Sequence, residues 1–159
     1  MLIIKITEEE LNKAKDNAQK LVNTKTKYKF AAADYKSKVI QNFYVGNLGE
    51  VAYGKYIGLP PNFDIYKERG DGGSDFCVGD DIIQVKTCTF NGPNKELKAD
   101  PERLSYSVTK LVLAHCNVND PSNMELIGEI SRADYLAKCF RSPYGSWMCV
   151  TEDYLTPIH

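Results

Sequence analysis

No run in this chain approaches the roughly 20 consecutive apolar residues of a membrane span. Met1-Leu2-Ile3-Ile4-Lys5 is far too short for the apolar region of a secretion signal, so a cytoplasmic protein with no membrane partner is expected. The five cysteines, at 77, 88, 116, 139 and 149, are an odd number without a Cys-x-x-Cys spacing, which argues against both a disulfide framework and a zinc site. They read as small buried hydrophobes in a reducing compartment, Cys77 and Cys88 included. A net charge of −1 argues against a protein that coats nucleic acid without selectivity, because phosphate contacts need clustered lysine or arginine. Internal repeats, low-complexity stretches and linkers are also absent.

What is present fits one α/β domain over 1–159, since 159 residues suffice for a real core and 43% hydrophobic with 26% charged residues is ordinary for a globular chain. Residues 7–23 read as a first helix, with Thr7 as N-cap, Glu10 completing a capping box, and Leu11, Ala14, Ala18, Leu21 and Val22 as the apolar stripe. Lys25-Thr26-Lys27-Tyr28-Lys29-Phe30 alternates as a strand or extended arm would, and Lys25, Lys27 and Lys29 suit a phosphate backbone as well as a solvated face. Ser37 caps a second predicted helix that runs to Ile57 and is closed by Gly58 before Pro60-Pro61. In it Gly46, Gly49 and Gly54 each cost about 1 kcal/mol against alanine, which points to close approach by a neighbour around Glu50.

The organising stretch is 70–88. Its glycine-rich opening and the Gly79-Asp80-Asp81 break flank two short runs, 75–78 and 82–88, that read as a tight hairpin. A loop at Gly79-Asp80 sets Asp75 across from Gln84, and one at Asp80-Asp81 sets it across from Lys86. Either register puts Asp75, Gln84 and Lys86 on one face, with Phe76, Val78, Ile83 and Val85 on the other. The carboxylate and the amide oxygen are hard ligands suited to Mg²⁺, and lysine can stabilise charge developing at a phosphate. Asp64 and Asp71 are rivals to Asp75, weaker because Asp71 sits between glycines and Asp64 has no evident strand partner.

At these residues the chain resembles the PD-(D/E)XK nuclease superfamily, the restriction-endonuclease-like fold: Asp75 on one strand, then Gln84-Val85-Lys86 on the next, with Glu50 on a preceding helix. Ser74 stands where the motif name has proline. Gln84 stands where an acid is usual, which removes one negative charge from the metal site. The resemblance covers about 46–88. It implies a mixed central sheet flanked by helices and an Mg²⁺-dependent deoxyribonuclease, with Mn²⁺ able to substitute. Asp75, Gln84, the Val85 carbonyl and Glu50 would serve the metal, and Lys86 would assist the nucleophile. On this reading residues 1–38 are a basic helical segment, 39–88 the catalytic core, and 89–159 the remaining sheet and helix. The partner is double-stranded DNA. One site per chain implies a homodimer or higher homo-oligomer, acting as a homing, restriction or phage endonuclease. The alternative is a nucleic-acid-binding module on the same fold that has lost cleavage, with Gln84 as the cause, and a third reading is a protein-interaction domain.

Beyond the hairpin, 89–105 reads as a loop whose Asn91, Asn94, Lys95, Lys98 and Arg103 have the chemistry for DNA contact. Residues 110–118 and 124–130 read as strands, the first nearly continuous in apolar character and therefore central. His115 within it is expected to be a satisfied core residue rather than a proton shuttle. Ser131 caps a short helix to Phe140, residues 141–146 form a polar turn, 147–150 a last strand, and the remainder a tail. Arg132, Lys138 and Arg141 read as exposed charges.

Overall fold

The computed structural model describes residues 1–63 and 74–159, so the readings of Asp64 and Asp71 lie outside the described residues. The first strand, β1 (Leu2–Lys5), leads into α1 (Glu8–Thr24), where Thr7 Oγ1 accepts from the Glu10 amide and the Glu10 carboxylate accepts from the Thr7 amide. The capping box therefore satisfies two of the donors that a helix start leaves open. Lys25–Phe30 is not a strand. Thr26–Tyr28 forms a 3₁₀ turn, because Tyr28 packs its ring against Tyr35 and Phe43 and is buried, while Phe30 is exposed.

Helix α2 (Ala33–Ile57) begins five residues earlier than expected, with Ala32 instead of Ser37 at the cap and no side-chain acceptor there, and closes as expected at Gly58 with φ +73°. A left-handed C-cap is the conformation glycine adopts without steric cost. The chain continues through the hairpin strands β2 (Phe76–Val78) and β3 (Asp81–Cys88), then β4 (Glu96–Lys98), β5 (Lys110–Cys116) and β6 (Asn123–Ser131). Helix α3 (Arg132–Lys138) follows, capped by Ser131 Oγ on the Asp134 amide, and then β7 (Phe140–Arg141), β8 (Met148–Thr151) and β9 (Thr156–Pro157).

The main sheet is mixed, in the order β1-β6-β5-β3-β2, with β3 and β5 parallel and the other pairs antiparallel; β9 joins β6 on the edge it shares with β1. A three-stranded sheet, β4-β8-β7, lies apart from it. Three expectations fail here for one reason. Part of the 89–105 loop is β4, Arg141 is in β7 rather than in a turn, and the tail contains β9. These strands are two or three residues long and owe their existence to distant partners, Glu96 with Thr151, Phe140 with Cys149 and Gly128 with Pro157. Strand β5 ends at Cys116 and α3 at Lys138, each two residues short of expectation.

Two apolar layers enclose the main sheet. On one face Val45, Leu48, Val51 and Ala52 of α2 meet Ile83, Val85, Val112 and Ala114. On the other Leu111, Leu113, Ile127 and Ile130 meet Tyr135 of α3, Leu97 of β4 and Val150 of β8. Each fully buried Leu or Ile contributes about 1.5–3 kcal/mol by removal from water. The architecture is thus α/β, a curled mixed sheet between helices on one side and a helix with a small sheet on the other. No helix of the described residues is long and apolar enough to cross a membrane.

Candidate active site

The hairpin register is Phe76 with Ile83, Cys77 with Ile82 and Val78 with Asp81, so the two-residue loop is Gly79-Asp80 and Asp75 immediately precedes the first paired residue of β2. Gly79 takes φ +59°, which a two-residue hairpin loop demands. The N-terminal end of β3 is anchored by polar contacts. Lys110 Nζ lies 3.3 Å from Asp81 and 3.1 Å from Glu129, and Thr109 Oγ1 donates to Asp81 at 3.0 Å.

Asp75 is fixed to β3 by two bonds. Its amide donates to the Ile83 carbonyl at 2.8 Å, and its Oδ2 accepts from the Val85 amide at 2.6 Å. The second bond corrects the expectation that Asp75 projects beside Gln84 and Lys86: its carboxylate turns into the plane of the sheet, standing where the next ladder partner would be. The N–H and C=O of one strand residue point to the same side, so the Val85 carbonyl also faces the Asp75 edge. The Val85 side chain is buried toward α2.

Gln84 and Lys86, two residues apart and half-buried, occupy the face of β3 away from α2, in register with Leu111 and Leu113 of β5. Glu50 is on α2 and half-buried. Its neighbour Gly49 abuts β3 closely enough that a Cβ there would lie 2.0 Å from Thr87 Oγ1. Tyr53, three residues on, packs against the Phe76 ring with centroids 5.5 Å apart, and a Cβ at Gly54 would lie 3.3 Å from that ring. Helical spacing therefore sets Glu50 over the stretch between Thr87 and Phe76, on the α2 side of the sheet where Phe76 opens β2. Gly49 and Gly54 meet close neighbours as expected, but Gly46 has nothing within 4 Å of its Cβ position.

Asp75, Gln84, the Val85 carbonyl and Glu50 offer only oxygen donors. Among the described residues no three His, Cys, Asp or Glu side chains gather as a metal group. A sparse, all-oxygen set fits Mg²⁺, which keeps several waters and shares its shell with substrate phosphates, better than a metal that needs a full protein cage. The fit rests on that donor chemistry.

Lys86 also lines a cavity of about 430 Å³ with Cys88, Phe90, Asn94, Glu96, Lys98, Tyr144 and Trp147. Glu96 is buried here and accepts from Ser142 Oγ at 2.8 Å and Trp147 Nε1 at 2.9 Å, with Lys98 Nζ 3.7 Å away. Burial alone would raise its carboxyl, but these donors outweigh it and hold the group below its usual 4.5. Burial pushes the Cys88 thiol up to about 11, so it behaves as a packed hydrophobe. The Glu96 cluster was not anticipated from the sequence, where Glu96 lay inside a presumed loop and its partners lie 46 and 51 residues away.

The remaining candidates divide. Lys25 lies over the Phe43 ring at 5.3 Å, Lys27 over Tyr28 and Lys29 over Phe30, so these cations ride on aromatic faces around the 3₁₀ turn. Asn91 contacts His115 Nε2 at 3.0 Å, while His115 Nδ1 meets Glu125 at 2.9 Å, as expected of a satisfied interior histidine. Asn94 has φ +62° and donates its amide to Glu152; Lys95 is 4.0 Å from Glu125; Arg103 pairs with Asp100 on the surface. Of the loop candidates, Asn94 and Lys98 line the cavity beside Lys86. Comparison with family models, with curated proteins and with solved structures found no match.

Proposed function

We propose that this chain is a metal-dependent deoxyribonuclease of the restriction-endonuclease-like class, hydrolysing a phosphodiester bond with water. The observation that carries the reading is the Asp75 carboxylate fixed on the Val85 amide at 2.6 Å, directly beside the strand that bears Gln84 and Lys86. That bond holds one carboxylate oxygen toward β3 and so orients the group without any bound ion. On this reading the Val85 carbonyl, which faces the Asp75 edge, and the Gln84 amide oxygen on the face of β3 away from α2 would supply neutral oxygens, and Glu50 would bring the second negative charge to that edge from the α2 side. When bound, Mg²⁺ would polarise the phosphate and lower the pKa of a coordinated water. Lys86, half-buried on β3, is positioned to stabilise the negative charge that grows on the phosphoryl oxygens as water attacks.

The test is nicking of supercoiled plasmid under Mg²⁺ and Mn²⁺ by wild type and by Lys86→Ala. Wild type is expected to cut only with metal, and Lys86→Ala to be slower by about 10²–10³-fold, the loss typical of one removed transition-state donor. No cleavage by either protein, with DNA still bound, favours the non-cleaving module. The absence of any salt-dependent DNA retention removes both readings. Because one chain carries one Asp75-Gln84-Lys86 set, cleavage of both strands calls for a second copy, and sedimentation on DNA is the measurement for it.

A further inference from the structure

We propose that the cavity beside Lys86 binds an unpaired nucleotide of the DNA strand being cut, its base stacking on the exposed rings of Phe90 and Tyr144. The proposal rests on the nuclease reading and specifies its substrate as DNA with a single-stranded or extruded nucleotide. Phe90 is 55% exposed and Tyr144 76% exposed, although both line the cavity, so two large rings are left without cover at one recess. Phe90 is braced from behind, since a Cβ at Gly92 would lie 2.4 Å from its ring.

Charge selects the ligand. Lys86 and Lys98 bring two ammonium groups to the lining, and the carboxylate there, Glu96, is occupied by Ser142, Trp147 and Lys98. A ligand with a flat π face and a negative charge beside it meets both features, which describes a nucleotide. Trp147 is held rather than free: Lys98 Nζ stands 3.9 Å from its ring centroid, and a Cβ at Gly145 would lie 1.8 Å from the ring. Its indole therefore forms a fixed wall, leaving Phe90 and Tyr144 to take the base. A base paired within a duplex cannot enter a recess of this kind, whereas one already unpaired enters without that cost. Stacking on aromatic side chains tolerates any base, so the recess reads strandedness rather than sequence.

Trp147 is the chain's one tryptophan and reports on the cavity directly. In EDTA, at one salt concentration, wild type is titrated with a short single-stranded DNA and with its blunt duplex, following Trp147 emission and anisotropy of labelled DNA. The single strand is expected to bind more tightly and to quench Trp147. Phe90→Ala and Tyr144→Ala should each weaken strand binding about fivefold or more while leaving duplex binding unchanged, and Tyr144→Phe should retain it. Both side chains are exposed, so truncation leaves the core intact. Equal affinity for strand and duplex, or a strand preference that survives both alanine variants, overturns the proposal. The two readings fail separately. A wild type that binds the strand this way yet never cuts retains the pocket without the nuclease, and one that cuts with no strand preference retains the nuclease without the pocket.

Discussion

The two faces of β3 carry the same alternation of side chains and meet opposite fates. Toward α2, Ile83 and Val85 enter a packed layer, and Gly49 lets the helix come so close that Thr87 Oγ1 has no hydrogen-bond partner among the described residues. Away from α2, Ile82 and Cys88 pack against the second layer, but Gln84 and Lys86 between them stay half-open, with a cavity at Lys86. The buried face fixes where the strand lies, so the open face can hold polar groups in place without packing around them.

The largest expected effect is on the open side. Asp75→Asn preserves shape but removes the charge that on this reading would hold the metal, and metal-dependent nicking should fall below that of Lys86→Ala. Activity near wild type would mean that Asp75 serves only to cap the Val85 amide.

On the packed side, Gly49→Ala should destabilise the fold by about 1–3 kcal/mol through overpacking against Thr87. Adding Thr87→Ala should restore most of the loss, read from urea midpoints. A double variant no more stable than Gly49→Ala alone would place the strain elsewhere.

Glu96 gives a pH signature. Its carboxyl is held below its usual value in the fold, so its contribution is present above about pH 4.5 and is lost as pH falls through the lower folded value. Glu96→Gln should therefore cost stability at neutral pH, on the order of 1–3 kcal/mol for the weakened donors, and the gap to wild type should close on acidification. A gap that is constant with pH would show that its charge is immaterial. The smallest effect is Thr87→Val, which replaces an orphaned hydroxyl by a methyl and should be neutral or stabilising by up to about 1 kcal/mol.

Legibility in the sequence followed the range of the signal. The capping box of α1, the Gly58 stop of α2 and a hairpin turn within 79–81 are written in neighbouring residues, and each was readable. The hairpin itself was readable too, although its two allowed loops set Asp75 opposite either Gln84 or Lys86. The direction of the Asp75 carboxylate was not, since alternation fixes a face but not a rotamer that reaches a backbone amide. The Lys25–Phe30 alternation misled because only Tyr28 of its two aromatics found a partner, on α2. Strand β1 went unrecognised because it is four residues long and its pairing partner begins at Asn123. The cavity itself assembles β3, β4 and the 144–147 loop, an arrangement that no local pattern encodes.

The central claim is that the Asp75 edge of β3 holds a divalent cation next to Lys86. Crystals soaked in Mn²⁺ and measured for anomalous scattering test it directly. The account predicts a peak bonded to Asp75 and to the Gln84 amide oxygen or the Val85 carbonyl. A fully soaked crystal with no peak there, or with Mn²⁺ bound only elsewhere, would contradict it.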